Sequence, residues 1–242
     1  MKIILLTFLS IFFLILSWIL SDHFAPWFTF GSEIAAFFSI FFLICLQFNR
    51  NLKVPYRLIP LFIISLIPLI QYGFGQILFF STAILSFLYL AGFIITVIHS
   101  FNLCITDFNR QKVMLFASSS FVAAGIITAL MAIIQWLNFE SSFPYVLELT
   151  AGRPFANFAQ PNNMATALFL ALLGCLYIFE KQKLPSFIIL MIALTILFAM
   201  VLSQSRTVWL GVIFCVVYWL IRNHKISFRF NRFYAIGFTV IF

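Results

Sequence analysis

Charge is what this sequence lacks most. Only 8% of its 242 residues are Asp, Glu, Lys or Arg, against about a quarter in an ordinary soluble domain, so there is too little polar cover to hide such a core from water. With 64% hydrophobic residues and 19% aromatic ones, the chain needs lipid as its solvent. Acids are scarcer still, six against 14 Lys and Arg, which leaves a formal charge of +8. The basic residues stand in short clusters between apolar runs. That pattern fits membrane orientation, and no nucleic-acid partner is expected.

Cysteine and histidine are also few. Cys45, Cys104, Cys175 and Cys215 lie inside or at the ends of apolar runs and have neither disulfide-framework nor metal-ligand spacing. No metal site and no cofactor is expected. A cleavage motif is missing after the first apolar run, residues 3–20, where Ser21-Asp22-His23-Phe24 follows; the run reads as an uncleaved first span. Internal repeats are absent, and the apolar runs hold almost no charge, which counts against a transporter with ionisable groups at the midplane and repeated halves.

What is present is a series of apolar runs close to the roughly 20 residues that one helical crossing requires: 3–20, 34–48, 113–137, 164–179, 184–202 and 207–221. The stretch 58–98 is about twice that length and is expected to turn near Gln71-Tyr72-Gly73-Phe74-Gly75-Gln76, where glycines flanked by amides break a helix and supply polar groups. The predicted fold is all-α, a polytopic helical membrane protein with eight complete spans forming one domain over residues 1–242. A final apolar run, 233–242, is about half a crossing long. The expectation is that a ninth span is interrupted there and that the protein continues.

Loop charges support this reading. With the N-terminus in the cytoplasm, Lys2, Arg50, Lys53, Arg57, Arg110, Lys112, Lys181, Lys183, Arg222, Lys225, Arg229 and Arg232 all fall inside. That leaves only Arg153 and Arg206 of the 14 basic residues outside, together with Asp22, Glu33, Glu140 and Glu148. Counting 58–98 as one crossing would invert every later loop and destroy the pattern. Trp18, Trp27, Trp136 and Trp219 sit near predicted span ends, as an aromatic belt would.

Two outside segments concentrate hydrogen-bonding capacity. The loop 138–163 contains Gly152-Arg153-Pro154-Phe155-Ala156-Asn157-Phe158-Ala159-Gln160-Pro161-Asn162-Asn163, and Ser203-Gln204-Ser205-Arg206-Thr207 opens the eighth span on the same side. Pro161 reads as a helix start and Ser205 as a cap, so both spans would present free N–H groups there. A cation at a helix N-terminus is disfavoured, so Arg206 needs an anionic partner. Either Glu140, Glu148 or lipid headgroups supply it, or Arg153 and Arg206 together grip a phosphate, to which a guanidinium fork is matched.

Residues 152–166, from Gly152 through Ala165 and Thr166, resemble the signature of the pilin-glycosylation ligases, the protein O-oligosaccharyltransferases of the O-antigen ligase superfamily. Ser205-Arg206-Thr207-Val208-Trp209-Leu210 resembles a second segment of that superfamily. Gly is common in the family where Ala156 stands, and His where Asn163 stands. The resemblance implies a bacterial inner-membrane glycosyltransferase that moves an oligosaccharide from undecaprenyl pyrophosphate to a protein Ser or Thr hydroxyl, such as one of pilin, in the periplasm. It further implies that Arg153 and Arg206 contact the pyrophosphate and that Gln160 and Asn162 help shape the substrate site. The family's expected base is a His in a large periplasmic loop, which would lie beyond residue 242. His23, His99 and His224 are read as interfacial or packing residues, no catalytic residue is assigned, and the chain alone is expected to be inactive. The alternatives are an O-antigen polymerase, a ligase acting on lipid A core, or a transporter or flippase of lipid-linked glycan.

Overall fold

The computed structural model describes residues 2–20, 29–48, 51–105, 107–149 and 152–223. Among these it contains eight α-helices and no strand: α1 (Lys2–Ile19), α2 (Phe30–Cys45), α3 (Ile59–Gly73), α4 (Phe80–Leu103), α5 (Asp107–Trp136), α6 (Pro161–Glu180), α7 (Ser186–Leu202) and α8 (Arg206–Asn223). Each apolar run up to residue 221 has become a helix, and the long one has become two. The hairpin closes where glycine and amides were expected to close it. Gly75 adopts φ +72°, and the Gln76 N–H donates to the Gln71 carbonyl at 2.9 Å. The expected ninth span lies outside the described residues, as do Asp22, His23, Trp27, Arg50, His224, Lys225, Arg229 and Arg232.

Length separates seven of the helices into two groups. Tyr56–Gly73, Phe80–Leu103, Asn109–Trp136 and Pro161–Glu180 are long and apolar enough to cross a membrane, whereas Ile4–Ile19, Phe30–Cys45 and Ser186–Leu202 are apolar but shorter. The 16 residues of α2 extend about 24 Å at 1.5 Å per residue, against roughly 30 Å of hydrocarbon. Helix length and composition therefore qualify four crossings among the described residues, fewer than the eight expected.

The core lies where α5, α6 and α7 meet, with Val208 of α8 added to it. Small residues set how closely these helices approach, since lipid offers no hydrophobic drive to hold helices together. A Cβ built on Gly125 of α5 would stand 2.3 Å from the Ala171 Cβ of α6, and one built on Gly174 of α6 would stand 2.8 Å from the Ser118 carbonyl oxygen of α5. The α5–α6 contact is thus close to backbone-on-backbone. Polar side chains stitch the remaining helices: Ser10 and Ser39 exchange hydrogen bonds to each other's carbonyls at 3.0 and 2.8 Å, and buried Gln47 donates to the His99 carbonyl at 2.9 Å. Trp18 does more than mark an interface, because its ring stacks on Phe121 of α5 at 5.3 Å and meets Phe158 edge-on at 6.3 Å.

Candidate functional site

The loop 138–163 is held down by two buried amides. Gln135, in the last turn of α5, is fully buried and uses its whole hydrogen-bonding capacity on this loop. Its Oε1 accepts from the N–H groups of Phe155 (3.0 Å) and Ala156 (2.7 Å), while its Nε2 donates to the carbonyls of Leu147 and Ala156, both at 2.9 Å. Asn157 is the second clamp. Its Nδ2 donates to the carbonyls of Ile19 at the end of α1 (2.6 Å) and Tyr145 (2.9 Å), and its Oδ1 accepts from the Leu147 N–H at 3.3 Å. A polar group in an apolar environment is costly unless bonded. The fully bonded pair makes the loop a fixed surface joined to α1 and α5.

Sequence reasoning passed over Gln135 because it sits in an apolar run, and it counted Asn157 among the polar groups of a binding surface. The missed signal was an amide inside a span, which demands an internal partner. Asn157 points inward with Phe155 and Ala156, all three buried. The backbone at Ala156 and Ala159 is left-handed, with φ +50° and +56°, a conformation that glycine takes without penalty and other residues pay for in strain. This accounts for the glycine that the resembled pattern commonly has at position 156.

The surface left exposed is the one carrying the sequence-predicted residues. Pro161 opens α6, and Gln160 stands at the N-cap in an extended conformation without a side-chain capping bond. Gln160, Asn162 and Asn163 are exposed, and Arg153 is half-buried. Arg206 opens α8 and is exposed. The other polar residues beside it turn inward: Ser203 and Ser205 are buried, the Ser203 hydroxyl donates to the Met200 carbonyl at 2.6 Å, and the Ser205 N–H donates to the Ser203 hydroxyl at 3.3 Å. They build a tight α7–α8 turn, with Gln204 at φ +51°.

Two hairpin turns bring the starts of α6 and α8 to the same end of the bundle. Gly211, in the second turn of α8, fits against the ring of Phe169, near the middle of α6, so closely that a built Cβ would meet it at 3.1 Å. Free N–H groups of both helices therefore emerge at one end, where positive dipole ends favour an anion. Gln160, Asn162 and Arg206 lie at that end, and Arg153 lies in the loop anchored beside it. Glu140 was one of the ordinary partners expected for Arg206, with Glu148 and lipid headgroups. It accepts from the Leu149 N–H at 3.4 Å through Oε1, and its buried Oε2 has no hydrogen-bond partner. Among the described residues no group of three or more His, Cys, Asp or Glu could hold a metal ion.

The helices and this polar end define a polytopic helical membrane protein with an anion-favouring surface at one end of its bundle. Two curated proteins of Acinetobacter baylyi are similar to it. The general O-oligosaccharyltransferase is 42% identical over 230 residues, which is 93% of this chain and 40% of its own length. The ComP-specific O-oligosaccharyltransferase is 28% identical over 184 residues, or 75% of this chain and 33% of its own length. The chain thus spans between a third and two fifths of the relatives it matches. No family model matches, and neither does any solved structure. Over the span it covers, the chain is similar to these two proteins named as O-oligosaccharyltransferases.

Proposed function

We propose that this chain forms the donor-binding part of a membrane glycosyltransferase, one that moves an oligosaccharide from undecaprenyl pyrophosphate to a protein hydroxyl, pilin being the acceptor type, on the periplasmic face of a bacterial inner membrane. The reading is carried by one observation: the starts of α6 and α8, with exposed Gln160, Asn162 and Arg206, emerge at the same end of the bundle as the loop bearing Arg153. The similarity to two enzymes named for oligosaccharide transfer supports it. The twelve-to-two partition of basic residues supports a cytoplasmic N-terminus, with that end in the periplasm.

The chemistry follows from the residues. Pyrophosphate leaves readily when its growing negative charge is met by fixed donors, which two guanidiniums and two helix N-termini supply without a metal ion. Arg153 and Arg206 would each offer a planar fork to phosphate oxygens, and Gln160 and Asn162 would orient them by neutral hydrogen bonds. A hydroxyl acceptor also needs a general base, and none is assigned among these residues.

The test is donor binding. The purified chain, mixed with undecaprenyl pyrophosphate in detergent and read by native mass spectrometry, is expected to retain the lipid. Arg153→Ala and Arg206→Ala should each weaken retention roughly tenfold or more, since a hydrogen bond to a charged group is worth about 1.5–3 kcal/mol. Equal retention by both variants and the parent would overturn the proposal.

A further inference from the structure

The loop between α5 and α6 carries an exposed ring that the anion-favouring surface leaves unused. Phe143-Pro144-Tyr145-Val146 is a tight turn, closed by the Val146 N–H donating to the Phe143 carbonyl at 2.9 Å. Pro144 takes the second position, where its fixed φ suits a turn. Val146 packs against the core, and the Tyr145 side chain is left outside, 78% exposed.

The backbone under this ring is held by the same two amides that fix the rest of the loop. The Tyr145 carbonyl accepts from Asn157 at 2.9 Å, the Leu147 N–H donates to Asn157 at 3.3 Å, and the Leu147 carbonyl accepts from Gln135 at 2.9 Å. Gln135 also grips Phe155 and Ala156, which with Asn157 connect Arg153 to Gln160 along the chain. The ring and the phosphate-facing residues therefore stand on one anchored piece of backbone.

A membrane-surface aromatic can simply belong to an interfacial belt. The exposed rings of Phe74, Phe79 and Phe80 suit that role, in a stretch, 71–82, without a charged residue. Tyr145 has different company. Glu140 precedes it, exposed Glu148 follows it, and no Lys or Arg lies between residues 137 and 149. Anionic headgroups are repelled by such a segment, whereas a neutral polyhydroxylated ligand is not. Exposed Ser141 and Ser142 add hydroxyls that can both donate and accept. A pyranose uses this combination: its C–H face covers the negative face of an aromatic ring, and its hydroxyls take the hydrogen bonds.

We propose that Tyr145 is a stacking platform for the pyranose bonded to the donor's pyrophosphate, a sugar subsite beside the phosphate-facing residues. The inference rests on the donor reading above and adds the surface that tells a glycan-bearing lipid from a bare one. Contact is through the ring face, so the phenol hydroxyl is not required.

The experiment mixes the purified 242-residue chain in detergent with equal parts of undecaprenyl pyrophosphate and undecaprenyl pyrophosphate carrying one N-acetylglucosamine, then counts retained lipids by native mass spectrometry. The sugar-bearing lipid is expected to be retained roughly fivefold better, the gain of one well-made aromatic contact. Tyr145→Ala should remove that advantage and leave the bare lipid's retention unchanged, whereas Tyr145→Phe keeps the ring and should keep the advantage. Phe74→Ala, at the exposed α3–α4 hairpin, is the control and should change neither. Equal retention of the two lipids by the parent, or an advantage that survives Tyr145→Ala, overturns the sugar platform while the donor reading stands. So does an equal loss of both lipids in Tyr145→Ala, which would set the ring against lipid or make it a support of the loop. Failure of the parent to retain the bare lipid would instead sink the donor reading, and this inference with it.

Discussion

Replacing Gln135 by Leu should release the loop while sparing the helices. The substitution keeps a side chain of similar size in α5 and removes four hydrogen bonds, leaving the N–H groups of Phe155 and Ala156 and the carbonyls of Leu147 and Ala156 without their partner. Leu147 is half-buried, so water can replace what it loses. The other three groups belong to buried residues, and each unsatisfied buried group costs about 1–3 kcal/mol. Even at the low end the sum is about 3 kcal/mol, enough to favour a local opening over a strained closed loop. Gln135→Glu should not rescue it, because a carboxylate would set a second acceptor against two carbonyls. Hydrogen–deuterium exchange on the chain in detergent is the assay. Protection at Phe155 and Ala156 should fall roughly a hundredfold, the equivalent of about 3 kcal/mol, while the α6 and α7 amides stay protected. Gln76→Leu, at an exposed hairpin position, is the control and should change nothing at the loop. If Phe155 and Ala156 keep their parental protection in Gln135→Leu, the clamp does not hold the loop and the argument from satisfied amides is wrong.

Other tests reach the remaining links. Gly174→Ala should destabilise the chain by about 1–3 kcal/mol as α5 and α6 are pushed apart, whereas Gly73→Ala, which has nothing within 4 Å of its built Cβ, should be neutral; thermal unfolding in detergent separates them. Arg153→Lys and Arg206→Lys keep the charge but lose the planar fork, so each should weaken undecaprenyl pyrophosphate retention; parental retention by both would point to simple charge attraction. Cysteine at exposed Ala159 should react with an impermeant thiol reagent in cells whose outer membrane alone is permeabilised. Cysteine at Gln182 should react only after the inner membrane is opened, and the reverse pattern would invert the proposed orientation.

The helical plan was legible because its causes are local. A run of apolar residues cannot leave its backbone groups unpaired in lipid, so it must close them within itself as a helix. The split of 58–98 followed from glycine and amide chemistry at Gly75 and Gln76, and the start of α6 from Pro161, whose missing N–H is an orphan at that position in any case. Helix length was less legible. Apolar residues continue past helix ends, so α2 stops at Cys45 although its run extends to Phe48.

For the candidate site, the sequence by itself determined which segments carry hydrogen-bonding groups and which residues, Arg153, Gln160, Asn162 and Arg206, stand in a family-like pattern. Only the tertiary structure decided which of those groups remain available. Asn157 and Ser203 look as polar in one dimension as Gln160 does, yet they are consumed by Ile19, Tyr145, Leu147 and the turn between α7 and α8. Gln135 passes for one more residue of a span until the loop backbone, about 20 residues on, folds over it. The physical reason is that a hydrogen-bonding group is defined by its partner, and partners distant along the chain are chosen by helix packing, which the close approach of Gly125 and Gly174 across the α5–α6 contact sets.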